Sequence, residues 1–420
     1  MQKYILERKF RCFLVECIYR IFYKYTRFYI FVYCSISRGC EKYTMILEKI
    51  HKDLSDKGIT NRQLAAMFDI SHSKVNESFT GKREFDFYVY TEILNMLYPH
   101  DYKFRKTEVL KYCEEAKRKV NLRVAFEYLD MCGELEVLQY LIDKEKDSNN
   151  ILNRKFANAY ELLHLRNAEN INPQTYLKTV KKEMEQKKST EDVSKIPMEF
   201  SLIYAFFDYR NYNLVSEYTN ELLPQIDNLK NPFLRSSYKL RTMELLATSF
   251  HRNNELEKAR ELCNEMIARQ GRVSLIPKAT AYCIMGETYI LTDYELSKYY
   301  LDKGLQLMTS PNNKKMLKKK QMIQTTLDFL NIHFEIDLDN INPKNPVELA
   351  YKYVKKGLKE QANNLIEGIK KKNGFLTPLQ IFIQALARDD MNLMREALLA
   401  FERNNDLFYA ELPKNVLKLK

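Results

Sequence analysis

From Met45 onward, apolar positions recur at helical spacing almost without interruption. Ile46, Leu47, Ile50 and Leu54 form one face of an amphipathic helix. Leu64, Ala65 and Phe68 give a second helix its apolar face, with Thr60 as its cap and Gln63 completing a capping box. Asp69 and Ile70 make a turn. Ser71 then caps a third helix whose Val75 and Phe79 share a face, and Gly81 follows where left-handed backbone is favoured. Phe85, Val89, Ile93 and Leu97 mark a closing helix, which Tyr98-Pro99-His100-Asp101 ends. Two short helices and a tight turn over Ile59 to Lys82 predict a helix-turn-helix, the geometry that presents its second helix to a DNA major groove. Candidate contacts to double-stranded operator DNA are Asn61, Arg62, Ser71, His72, Ser73, Lys74, Asn76 and Lys82, with Glu77 also pointing outward. The plainer alternative is a helical hairpin in an all-α protein.

The same spacing continues to the end of the chain. It predicts amphipathic stretches over 122–140 and 153–165, a stop at Asn172-Pro173, a charged helix and linker over 178–195 ending at Pro197, and a pair over 198–209 and 213–223. A repeat follows. Leu256 opens one helix, Leu296 stands forty residues on in a similar setting, and Leu358 opens another. Helical hairpins at such a period predict tetratricopeptide-like repeats stacked into a superhelix, whose concave face suits an extended peptide. The fold class is therefore all-α: an amino-terminal helix-turn-helix domain followed by a tetratricopeptide-like superhelix. The expected organisation is a helix-turn-helix domain over 45–100, linker helices and first hairpins over 101–197, and a peptide-binding, dimerising repeat body over 198–420.

Composition supports this reading and adds one anomaly. Only 10 Gly and 11 Pro in 420 residues leave few helix breakers. Residues 1–44 hold no Ala, Asp, Asn, Pro or His, but seven Tyr, five Phe and four Cys. They also carry +6 of the net +12. Their most apolar run, Phe28 to Ile36, falls far short of the ~20 residues that span a bilayer, so no membrane span is expected. The segment reads as translated upstream sequence ahead of a start at Met45, or else as a basic, aromatic membrane-surface or dimerisation arm. Residues 45–100 carry seven Lys/Arg against eight Asp/Glu, so non-specific DNA binding would be weak. The segment 101–123, with eight basic and four acidic side chains, could lie along a DNA backbone or simply face solvent. None of the eight cysteines forms a CxxC; the later four sit in helical patterns as buried free thiols would, which suits a reduced, cytoplasmic setting.

No catalytic constellation emerges. His333-Phe334-Glu335 lacks the PCxxC that a zinc deaminase needs, and Asp337 and Asp339 lack the rest of a calcium loop. No enzyme, metal or cofactor is expected. The basic run of Lys314, Lys315, Lys318, Lys319 and Lys320 reads as a solvated turn and helix start.

Several stretches carry a family resemblance. They are Arg235-Ser-Ser-Tyr238-Lys-Leu-Arg241, Tyr282 to Gly286, Asp293-Tyr294-Glu295-Leu296, Lys303-Gly304-Leu305, Phe329-Leu330-Asn331, and Asn404 to Phe408. With the helix-turn-helix ahead of them, the chain resembles the RRNPP-class quorum-sensing regulators, and most closely the arbitrium receptors of temperate phages. The resemblance implies a homodimer that binds operator DNA and responds to a short, secreted and re-imported signalling peptide. That peptide weakens productive DNA binding and turns the phage from lysis towards lysogeny. The resemblance also implies a peptide clamp. Asn253 and Asp406 match it, Ser249 and Glu287 replace family asparagines, and Lys278 stands near the place of a family arginine at Ile276. Asp406 and Glu287 then suggest a cationic or amino-terminal group on the peptide. The alternatives are a helical-repeat adaptor for a protein partner, or a peptide-controlled inhibitor of a phosphatase or response regulator.

Overall fold

The computed structural model describes residues 39–168, 171–186 and 193–419. The expected upstream segment falls largely outside them. Every regular element among the described residues is helical: 21 α-helices and one 3-10 turn. The chain divides into two compact units at Phe85/Asp86.

The first unit contains α1 (Gly39–Asp56), α2 (Asn61–Met67) and α3 (His72–Phe79). Its core is most of the apolar set predicted from spacing: Leu47, Ile50, Leu54, Leu64, Ala65, Val75, Phe79 and Phe85 are buried, while Ile46 and Phe68 are half-buried. Phe79 is fixed by rings on two sides, His51 at 4.6 Å and Phe85 at 4.9 Å between centroids. The caps form as expected. Gln63 N donates to Thr60 Oγ1 at 3.2 Å, and Thr60 N donates back to Gln63 Oε1 at 2.8 Å. Lys74 N donates to Ser71 Oγ at 3.3 Å. Asp69 takes φ +50° in the turn and Gly81 φ +72° after α3, both left-handed.

The second unit runs from α4 to α21: α4 (Phe87–Leu97), α5 (Tyr102–Glu115), α6 (Lys119–Cys132), α7 (Leu135–Lys146), α8 (Ile151–Ala168), α9 (Pro173–Gln186), α10 (Lys195–Asp208), α11 (Tyr212–Asp227), α12 (Pro232–Arg252), α13 (Leu256–Ala268), α14 (Leu275–Glu287), α15 (Tyr294–Leu307), α16 (Lys314–His333), α17 (Pro346–Lys355), α18 (Lys359–Asn373), α19 (Pro378–Arg388), α20 (Met391–Arg403) and α21 (Leu407–Leu417). Consecutive helices pack as hairpins through most of this run. The closing helix grouped by periodicity with the amino-terminal domain, α4, packs in this unit, against α5 and α6.

Several local expectations are revised. The stretch 122–140 is two helices, because Gly133 takes φ +78° and ends α6. Asn172-Pro173 is a start rather than a stop. Asn172 Oδ1 accepts from Gln174 N at 2.9 Å, and Pro173 fills the first helical position, where its missing N–H costs nothing. Pro197 likewise lies in the first turn of α10. The repeat glycine Gly286 is set by packing: a Cβ there would lie 2.7 Å from Leu301 Cγ of α15. The basic stretch 101–123 is largely spent on the fold. Lys106 pairs with Glu136, Lys111 with Glu108, Arg118 with Asp86 and Lys119 with Glu145, while Arg105 donates to the Pro99 carbonyl at 2.6 Å.

Candidate functional site

A cavity of about 700 Å³ opens inside the second unit. Helices far apart in sequence wall it, chiefly α12, α14 and α16, with contributions from α8, α10, α17, α19 and α21. One face of α16 lines it along its length: Lys315, Lys318, Lys319, Met322, Thr325, Thr326 and Phe329. This is the i, i+3, i+4 spacing of a single helical stripe. Three lysines of the run read as a solvated turn, Lys315, Lys318 and Lys319, therefore form the basic half of this stripe, while Lys314 and Lys320 lie off it. Met322 is 51 % exposed, an apolar side chain left open inside a concave site.

At one end of the wall a buried charge network joins α6, α12 and α16. Arg241 Nε donates to Glu127 Oε1 and Nη2 to Glu127 Oε2, each at 2.9 Å. Asp130 pairs with the same guanidinium and accepts from Asn167 Nδ2 at 2.8 Å. Lys315 Nζ donates to the Asp130 carbonyl at 2.7 Å. Burial alone would raise the Asp130 carboxyl, but Lys315 and Arg241 hold it down at about 2. Asn313 Nδ2 donates to the Cys132 carbonyl at 2.9 Å. The approach is close enough that a Cβ on Gly133 would stand 2.7 Å from Lys315 Cβ. Arg166 is spoken for nearby, by two 2.7 Å hydrogen bonds to Asp208.

Further along, Glu287 and Asp406 both line the cavity, and between them stands Arg252, which the sequence reading missed. Its Nη2 donates to Glu287 Oε2 at 3.2 Å, and its Nη1 lies 3.6 Å from Asp406 Oδ2. The expected demand of these carboxylates for a cation on the ligand is thus partly met from within. Burial raises the Glu287 carboxyl, although Arg252 opposes it. His251 is fully buried beside them, and burial together with Arg252 holds its imidazole well below its ordinary value. Glu348 adds a carboxyl at the wall; burial pushes it up to about 7, and its Oε2 has no partner among the described residues.

The other peptide-clamp candidates lie elsewhere. Ser249 is fully buried behind the wall, Asn253 ends α12, and Lys278 is half-buried on α14; none of the three lines the cavity. The sequence signal for Arg252 was its place beside the Asn253 clamp candidate; for α16 it was the stripe running on from the lysines.

On the amino-terminal unit, Arg62, Ser71, His72, Ser73, Glu77 and Lys82 are exposed, while Asn61, Lys74 and Asn76 are half-buried. Asn61 Nδ2 donates to Asn76 Oδ1 at 2.7 Å, tying α2 to α3, and Asn76 Nδ2 lies 3.3 Å from His72 Nδ1. Ser71 Oγ is engaged as the cap. Among the described residues, the side chains unspent at the surface of the hairpin are therefore Arg62, Glu77 and Lys82.

Comparison with known proteins decides the family. The model of the AimR transcriptional regulator-like family matches residues 105–419, three quarters of the chain. The chain belongs to that family. An uncharacterised protein of Bacillus anthracis is 26% identical over 243 residues, covering 56% of this chain and 89% of that protein. The AimR transcriptional regulator of Bacillus phage SPbeta is 22% identical over 285 residues, covering 67% and 70%. A solved structure of phAimR with ligand superposes with a TM-score of 0.66 at 20% identity, covering 78% of this chain and 95% of that one. The AimR-like fold is thus shown, and an AimR-like role in transcription regulation, rather than an enzymatic one, follows from the family. The AimR-family match covers the whole cavity wall and leaves α1 to α3 outside it. Among the described residues no helix is long and apolar enough to cross a membrane.

Proposed function

We propose that this protein is a homodimeric, DNA-binding regulator of a phage's choice between lysis and lysogeny. A short imported peptide, bound in the cavity, reduces its productive binding to double-stranded operator DNA in the host cytoplasm. The carrying observation is the cavity. At about 700 Å³ it lies in the range of pockets built to hold a ligand, and one stripe of α16 grades from cations to apolar groups across it. In the amino-terminal unit, the capped α2–turn–α3 hairpin supports a DNA reader. There His72, Ser73 and Glu77 reach base edges, Arg62, Lys74 and Lys82 reach phosphates, and Asn61 and Asn76 hold the hairpin together. A peptide can shift the equilibrium between DNA-competent and incompetent forms only by its differential affinity for the two.

Gel retardation of the DNA flanking the gene tests this reading, with Lys74→Ala and Lys82→Ala as controls. Retardation that the variants weaken supports it. A rival reading, a helical-repeat adaptor or inhibitor that binds a protein partner under peptide control without DNA, draws on the family match beginning only at residue 105. Failure to retard any flanking DNA would favour that rival.

A further inference from the structure

The α2–turn–α3 hairpin holds a chain of three polar side chains that neither its caps nor its core requires. His72 opens α3 and Asn76 stands one turn on, so the two share a face. Asn61, the first residue of α2, donates from Nδ2 to Asn76 Oδ1 at 2.7 Å. Asn76 in turn points its Nδ2 at His72 Nδ1, 3.3 Å away. Asn61 and Asn76 are half-buried, and His72 is exposed. The chain thus runs from between the two helices to the surface, and ends on a ring.

Each link has a polarity. An amide side chain offers an acceptor on its oxygen and donors on its nitrogen. Asn61 donates to the Asn76 oxygen, so the Asn76 nitrogen faces the ring, and that nitrogen can only donate. His72 Nδ1 must then accept, which leaves the hydrogen of the neutral ring on Nε2. Nε2 has no partner among the described residues. The open edge of His72 is therefore a hydrogen-bond donor, held in that state from Asn61 outward. In a recognition helix the amino-terminal residues are the ones that meet base edges. Guanine shows two acceptors in the major groove, N7 and O6, whereas cytosine shows a donor, its N4 amine.

We propose that His72 reads one base step as a donor, selecting guanine against cytosine, and that Asn76 and Asn61 are positioning residues that fix the tautomer that does so. This rests on the reading of the hairpin as a DNA reader and adds what it recognises at one step. His72 touches the base, and the two asparagines act through it. A donor set against the cytosine amine leaves both groups unsatisfied, so the step discriminates by rejection as well as by attraction. A base contact of this kind corresponds to about tenfold in affinity between the right and the wrong base.

The test selects duplexes from a random pool with the full chain, sequences them, and titrates the best by fluorescence anisotropy. His72→Ala, a change at an exposed position, identifies the step as the one whose preference it flattens. There the parent is expected to favour guanine over cytosine about tenfold. Asn76→Leu frees the ring to carry its hydrogen on either nitrogen, and is expected to flatten the same step while leaving the preferences at other steps in place. Asn61→Ala, which releases the Asn76 amide without removing it, is expected to do the same and keeps the test open if Asn76→Leu binds no duplex. A His72 step that takes cytosine as well as guanine, or better, overturns the proposal, because the chain of amides then runs the other way or does not act. So does a His72→Ala variant that flattens no step. Asparagine variants that weaken all sequences alike overturn the positioning role, since that is the mark of a structural one. Enrichment of no duplex overturns the DNA-binding reading itself, and is distinguishable from the other failures.

Discussion

At the scale of single residues, buried charge decides most. Arg241 is 2% exposed and is matched to Glu127 and Asp130, which are fully buried. Removing one partner of such a set strands the others in a medium that cannot solvate them. Arg241→Ala should therefore cost about 3–5 kcal/mol in chemical denaturation. Glu348 gives a pH signature. Its folded-state value of about 7 stands above the 4.5 of an exposed glutamate, so the folded form holds the proton more tightly. The stability this confers is present below pH 4.5 and is lost as pH rises through 7. Glu348→Gln, which keeps the neutral form at all pH, should melt higher than the parent at pH 8, by roughly 2–3 kcal/mol, and by little at pH 5. Thermal unfolding at the two pH values checks this, and a gain that is larger at pH 5 contradicts it.

At the scale of elements, the capped hairpin and the close approach at Gly133 carry the account. Gly133→Ala would force φ +78° on an alanine and drive its Cβ into Lys315. A melting point lowered by several degrees is expected, with the same helix content by circular dichroism. In the reader, Lys82→Ala should weaken DNA binding across sequences and reduce the salt slope by about one, whereas His72→Ala should change preference between operators. Anisotropy titrations at several salt concentrations separate the two outcomes.

How much of this the sequence made legible depends on whether the cause was local. Thr60 with Gln63, Ser71, Gly81 and the apolar stripes are local rules, and the structure follows each of them. The break at Gly133 and the start at Pro173 were misread because a glycine or proline marks a boundary without saying which side of it the helix lies on. Glu287 and Asp406 were found in the cavity wall, and Arg252 between them was not, because one lies 35 residues and the other 154 residues along the chain from it. The lysine run was misjudged for the same reason. Its helical stripe was visible, but which surface the stripe faces is set by distant helices.

At the scale of the whole molecule, the proposed function requires that a ligand in the second unit alter what the first unit does. Two measurements bear on this without locating the sites. A peptide that binds the folded form stabilises it by mass action, by about 2.7 kcal/mol at a hundredfold excess over its Kd, so bound peptides should raise the melting temperature in proportion to the logarithm of their concentration. The near-neutral reader gains little from non-specific attraction, so two readers joined in a dimer should bind paired half-sites far more tightly than one. Light scattering of the full chain should return twice its 50.1 kDa mass. The central claim is that peptide and operator DNA are linked through one protein. Footprinting of the flanking DNA by the full chain, with and without cavity-binding peptides, tests it most directly. The account predicts a protected site that fades as peptide is added. Protection that every such peptide leaves unchanged would contradict it.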